Sequence, residues 1–151
     1  MVQPHNLITA VIDINVFISG TSVSSQAYPG QIINLWQNNY FKLAISEPIL
    51  TRMSEVYKYP KVKQLTKMFD DTEIDELIYY IRKTATIITT LPRINISPDP
   101  EDNSLFSCAI GANADYIVSG DKKHVLSIEN YKGIQILSPK DFVDEIKILN
   151  N

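Results

Sequence analysis

Ile8-Thr9-Ala10-Val11-Ile12 is an apolar, largely β-branched run that ends on a single carboxylate, Asp13. Such a run reads as a fully buried strand. A charge delivered at its end needs a partner or a metal, because burying it unpaired is costly. Asn15 follows two residues on, and Val16-Phe17-Ile18 is apolar again, so the polar pair is an island. An ordinary strand end with Asp13 capping a turn would also explain it.

At 151 residues the chain is read as a single domain spanning 1–151, long enough to bury a proper core. Its one cysteine, Cys108, excludes an internal disulfide framework and fits a reducing compartment. The two histidines, His5 and His124, form no pair at metal-ligand spacing. No apolar run approaches the ~20 residues that span a bilayer. The first six residues lack the basic region and cleavage site of a signal peptide. The expectation is a cytoplasmic protein with no membrane partner. A net charge of −3 argues against broad, charge-driven nucleic-acid binding. It leaves room for a site where a cation bridges acids to phosphates.

Along the chain, strand-like runs alternate with helical patterns. A polar loop is expected at 21–26, a helix at 31–36, and a second strand at 41–45. Ser46 and Pro48 open a helix whose stripe is Ile49, Met53 and Val56 and which ends near Pro60. The stretch from Arg52 to Lys67 is basic, either a solvated face or a flank for a polyanion or partner chain. Asp70 opens a helix buried through Ile74, Leu77, Ile78 and Ile81, and a short strand lies within 84–90. Asp99-Pro100-Glu101-Asp102 begins a helix rich in small apolar residues. Asp99 is a good N-cap, and Asp102, three residues on, resembles a capping box. A strand over 114–118 ends in Ser119-Gly120-Asp121, where Asp121 is also placed to cap a helix over 122–126. A last strand, 133–137, precedes a helix capped by Ser138.

This alternation predicts a parallel sheet covered on both faces. Asp13 and Asp121 then leave strands at the same carboxyl edge, where open α/β sheets bind ligands. Asp102 starts a helix, and helices of this architecture also start at or return from the sheet edges. Each acid alone has a structural explanation. Three converging on one crevice would repel one another, and a divalent cation resolves that conflict. With carboxylate and amide oxygens and neither thiolate nor imidazole, the ion would be hard, Mg²⁺ or Mn²⁺.

Four blocks carry a family resemblance: Val11-Ile12-Asp13-Ile14-Asn15-Val16, Ile45-Ser46-Glu47-Pro48-Ile49-Leu50, Asp99-Pro100-Glu101-Asp102-Asn103, and Ala114 through Asp121. The final Ile136-Leu137-Ser138-Pro139-Lys140-Asp141-Phe142 matches too. Together they resemble a PIN domain, of the branch similar to VapC-type toxin components of bacterial toxin–antitoxin systems. The resemblance covers nearly the whole chain, with the blocks in order. It implies a three-layer α/β/α sandwich with a central parallel sheet, and Mg²⁺- or Mn²⁺-dependent endoribonuclease activity on single-stranded RNA that leaves a 5′-phosphate. It implies Asp13, Asp102 and Asp121 as catalytic metal ligands, with Asn15, Ser119 and Asp99 as supporting polar residues. A cognate antitoxin and a homodimer are the implied protein partners.

One departure stands out. The family usually places a glutamate six residues beyond the serine at Ser46; here that position is Arg52. Glu55 and Glu47 are the candidates for a fourth acid, and Arg52 and Lys122 for substrate contacts, since Arg suits phosphate. A catalytically weakened PIN-like module binding RNA or protein is therefore the alternative. A receiver-type phosphotransfer domain fits less well: the first strand ends on one acid rather than an adjacent pair, and the later strand ends in Ser119-Gly120-Asp121 rather than a lysine.

Overall fold

The computed structural model describes residues 7–22 and 27–150. Most of the loop expected at 21–26, and His5, lie outside the described residues. The elements run β1 (Thr9–Ile12), α1 (Ile14–Thr21), α2 (Tyr28–Gln37), β2 (Lys42–Ser46), α3 (Glu47–Tyr57), α4 (Pro60–Thr66), α5 (Asp71–Thr84), β3 (Thr86–Ile88), α6 (Pro100–Gly111), β4 (Tyr116–Val118), β5 (Asn130–Tyr131), β6 (Ile134–Leu137) and α7 (Pro139–Leu149).

Six strands form one sheet in the order β3-β2-β1-β4-β6-β5. All pairings are parallel except β5 with β6. The sheet is the middle layer of an α/β/α sandwich, as expected from the alternation of elements. β1 sits between β2 and β4, and its Ala10, Val11 and Ile12 are buried. This is why that run has no polar alternation: both faces are covered. α6 packs on β1, β2 and β4, and α3 packs on β2, α5 and α6. α1, α2 and α7 pack on one another, with α7 against β6. Phe17, Leu43, Leu50, Tyr57, Phe106 and Phe142 are the large side chains sealed between the layers.

The helix starts follow their sequence signals. Ser46 Oγ accepts from the Ile49 N–H, and Ser138 Oγ from the Asp141 N–H. Asp70 and Glu73 make a reciprocal capping box, and Ile74, Ile78 and Ile81 form the buried stripe of α5.

Four local features refine the sequence reading. Residues 14–21, left unassigned from sequence, are a helix, α1: Phe17 and Ile18 are buried against α2, while Asn15 and Ser19 face out. The basic stretch carries its own short helix, α4, started by Pro60. Residues 122–125 form a turn leading into a 3₁₀ turn at Leu126–Ile128, not an α-helix. Asp102 makes no capping box: its carboxylate turns to the Ser97 hydroxyl, which also takes the Asp99 N–H.

Candidate active site

The carboxyl ends of β1 and β4 lie side by side, with Ile12 in register with Val118. Each strand is followed at once by an acid. The Asp13 N–H extends the sheet by donating to the Val118 carbonyl at 2.9 Å. Asp13 is also the N-cap residue of α1, but its side chain caps nothing. Instead Asp13 Oδ2 accepts from the buried Ser119 hydroxyl at 2.9 Å. Ser119 Oγ in turn accepts the Asp121 N–H at 3.1 Å. One hydroxyl therefore sets the spacing of two acids that are 108 positions apart in the chain.

Asp121 accepts main-chain N–H groups from Lys123 at 3.1 Å and His124 at 3.0 Å. These bonds, His124's first, hold its carboxyl below the ordinary range. Asp13 is the opposite case. Burial pushes its carboxyl up, the Ser119 bond and the nearby Asn15 N–H pull it down, and the charges of Asp102 and Asp121 push it up again. Asp13 thus feels the charges of both other acids.

Asp13 and Asp121 line a cleft of about 330 Å³, together with Asn15, Val16, Ser19 and Gly120, bounded by Pro29 and Pro139. Asp102 does not line it. Asp102 sits in the first turn of α6, buried, with its Oδ2 on Ser97 Oγ at 2.9 Å. Asp99 is spent on capping α6 through the Glu101 N–H at 2.9 Å. Among the described residues, no three carboxylate, imidazole or thiol groups are drawn together closely enough to cage a cation as they stand. The donor set is nevertheless all oxygen. It fits a hard cation that keeps most of its waters and takes few carboxylates.

The candidates for a fourth acid point elsewhere. Glu47 is clamped by Arg82 of α5, which holds its carboxyl below the ordinary range. Glu55 lies 3.5 Å from Arg52. Arg52 itself bonds through Nε to Glu101 and through Nη1 to the Tyr59 hydroxyl at 3.0 Å. Lys122 is exposed in the turn after Asp121.

Two residues in this region went unassigned from sequence. Ser97 does for Asp102 and Asp99 what Ser119 does for Asp13 and Asp121: it donates to one acid and accepts the N–H of another. The signal was present as a repeated Ser-x-Asp spacing, Ser97-Pro98-Asp99 and Ser119-Gly120-Asp121. Glu101, the partner of Arg52, had no comparable signal.

The family model of the PIN domain matches residues 9–123, from the first residue of β1 to just past Asp121. The chain belongs to the PIN domain family. All three aspartates fall within the matched segment. The fold is also similar to a chain in the crystal structure of VapBC2 from Rickettsia felis bound to a DNA fragment from their promoter. That match has a TM-score of 0.55 at 15% identity and covers 87% of this chain and 98% of the other. A search of curated protein sequences finds no match to the chain. Within this PIN domain, Ser119→Ala would leave Asp13 Oδ2 and the Asp121 N–H without their shared partner. The expected loss is about 1–2 kcal/mol of unfolding free energy, read by urea denaturation.

Proposed function

We propose that this PIN protein is a Mg²⁺- or Mn²⁺-dependent endoribonuclease that cuts single-stranded RNA, and that it is the toxin component of a toxin–antitoxin pair. The observation that carries the reading is the pair of acids, Asp13 and Asp121, that follow neighbouring parallel strands at one sheet edge. A cleft opens beside them, and the charge of Asp102 also reaches Asp13.

Asp13, Asp121 and Asp102 would hold the ion. When bound, it would supply neutralisation of phosphate charge, an acidified water and stabilisation of the leaving oxygen. The chain's own part is positioning. Ser119 orients Asp13, and the N–H groups of Lys123 and His124 keep Asp121 ionised and fixed. α1 begins at Asp13, so its amino end borders the cleft and favours an anionic phosphate. Asn15, exposed on the first turn of α1, offers a neutral amide to the same space. Lys122, exposed beside Asp121, suits a backbone phosphate.

The likeness to a chain of a VapBC2 complex supports an antitoxin partner. No helix among the described residues is long and apolar enough to cross a membrane, which agrees with action in the cytoplasm. A homodimer completes the proposal.

The test is direct. Purified protein, free of contaminating nuclease, is incubated with a panel of single-stranded RNAs in Mn²⁺ or Mg²⁺. Cleavage stimulated by Mn²⁺, stopped by chelation and leaving 5′-phosphates is the expected result. Intact RNA throughout would refute the enzyme and leave the RNA- or protein-binding module.

A further inference from the structure

The first turn of α6 gathers several carboxylates, which its free N–H groups favour. Asp99, Glu101 and Asp102 all stand at this helix start. The charge of Asp102 opposes ionisation of Asp13 at the end of β1, so the two acids do not hold each other in place. The bonds that hold it are mostly local. Ser97 meets Asp102 and Asp99, and the Asn103 amide takes the N–H groups of Ile96 and Ser97 and donates to the Ser97 carbonyl. Those bonds shape the loop and the turn as one unit. They do not tie that unit to the rest of the protein.

Among the described residues, one side-chain bond from this turn reaches another element of the fold. It is the ion pair between Glu101 and Arg52 of α3. The guanidinium is fixed from its other side by the Tyr59 hydroxyl at 3.0 Å and Glu55 at 3.5 Å, and it lies 5.8 Å from the Tyr59 ring centre.

We infer that Arg52 is a positioning residue: through Glu101 it ties the first turn of α6 to α3, and so holds Asp102 in reach of Asp13 and Asp121 before any cation arrives. This rests on the metal-site reading above. It replaces a direct contact of Arg52 with phosphate, because both nitrogens that define its orientation are already engaged within the protein.

The inference has an unusual sign. Simple electrostatics says that deleting a cation near an acidic site tightens divalent binding. A positioning role says that it loosens it, because the acids drift apart. Supporting residues around metal ligands typically change affinity by ~10–100-fold. An exposed pair should sit at the low end of that range.

Mn²⁺ binding to the full chain, without RNA, is measured by titration for the wild type, Arg52→Gln, Glu101→Gln and the double variant. The expected result is roughly 10-fold weaker Mn²⁺ binding in each single variant, with the double variant no weaker than either. The melting temperature should fall by no more than about 4 °C, since surface ion pairs stabilise little. At saturating Mn²⁺ the KM for RNA should be unchanged. Arg52→Gln that binds Mn²⁺ as tightly as the wild type or tighter would overturn the inference alone. So would a raised KM for RNA with Mn²⁺ binding intact. A wild type that binds no Mn²⁺ would overturn both this inference and the metal site beneath it.

Discussion

Asp13→Asn is expected to abolish RNA cleavage and, at the same time, to make the protein harder to unfold. The loss of activity follows if Asp13 is a metal ligand at the reacting phosphate. Several kcal/mol of transition-state stabilisation would be forfeited, at least roughly 10³-fold in rate. The gain in stability follows from the geometry alone. Burial and the charges of Asp102 and Asp121 push the Asp13 carboxyl above its ordinary range. In the window between the unfolded and folded values, the native state binds more protons than the unfolded chain. Stability contributed by this group therefore falls as pH rises through that window. Above it, the ionised carboxylate opposes folding.

Asparagine removes that charge, and its Oδ1 can still accept from Ser119. A gain of about 1 kcal/mol at neutral pH is expected, discounted for the part of Asp13 that meets solvent. That corresponds to a rise of roughly 2–4 °C in melting temperature. The difference from wild type should shrink as pH falls through about 4 and vanish by about pH 3, where Asp13 is protonated in both states. Mn²⁺ should raise the melting temperature of the wild type and leave the variant unmoved. An asparagine variant that melts lower than wild type at pH 7 would show that the carboxylate is not under strain.

Gly111→Ala should be the most destabilising small substitution on the sheet side of α6. Gly111 is the last residue of that helix. A Cβ there would lie 2.1 Å from the Thr90 carbonyl oxygen and 3.0 Å from Ile88 Cγ2. The first contact is with backbone, so no rotamer change relieves it. Either α6 lifts from the chain leaving β3, or that chain moves. Overpacking of this kind costs about 3 kcal/mol, which is roughly 10 °C for a domain of this size. Because α6 carries Asp102 at its other end, cleavage should fall along with stability. Guanidinium unfolding of the two proteins measures the first effect. A difference under roughly 1 kcal/mol would mean that the helix end shifts freely.

The parallel sheet and its acid-bearing ends were legible because buried parallel strands have an unmistakable composition. Ala10–Ile12 and Tyr116–Val118 are apolar throughout, and each runs straight into a polar break. α1 was not legible. It has eight residues, lacks a side-chain cap, and follows β1 with only Asp13 between them. Its apolar residues continue those of the strand, so no periodicity had room to declare itself. The turn after Asp121 misled for a related reason. An aspartate that takes two successive N–H groups looks the same in sequence whether a helix or a turn follows.

At the site, Asp13 and Asp121 could be placed from strand direction alone. For Asp102 the three-residue spacing from Asp99 mimics a capping box, but Ser97 competes for the carboxylate and the Asp99 N–H and takes both. The orientation of Arg52 depends on Glu101, 49 residues away on another helix. No local pattern encodes that pairing.

The order of the strands also limits how this protein can meet another chain. The outermost strands, β3 and β5, have three and two residues. β5 turns back onto β6 through Lys132 and Gly133, both at positive φ, in a two-residue hairpin that ends its ladder at once. Neither flank offers enough free backbone for a visiting strand to dock by hydrogen bonding. Among the described residues, the helices present the longer continuous faces for packing against another chain.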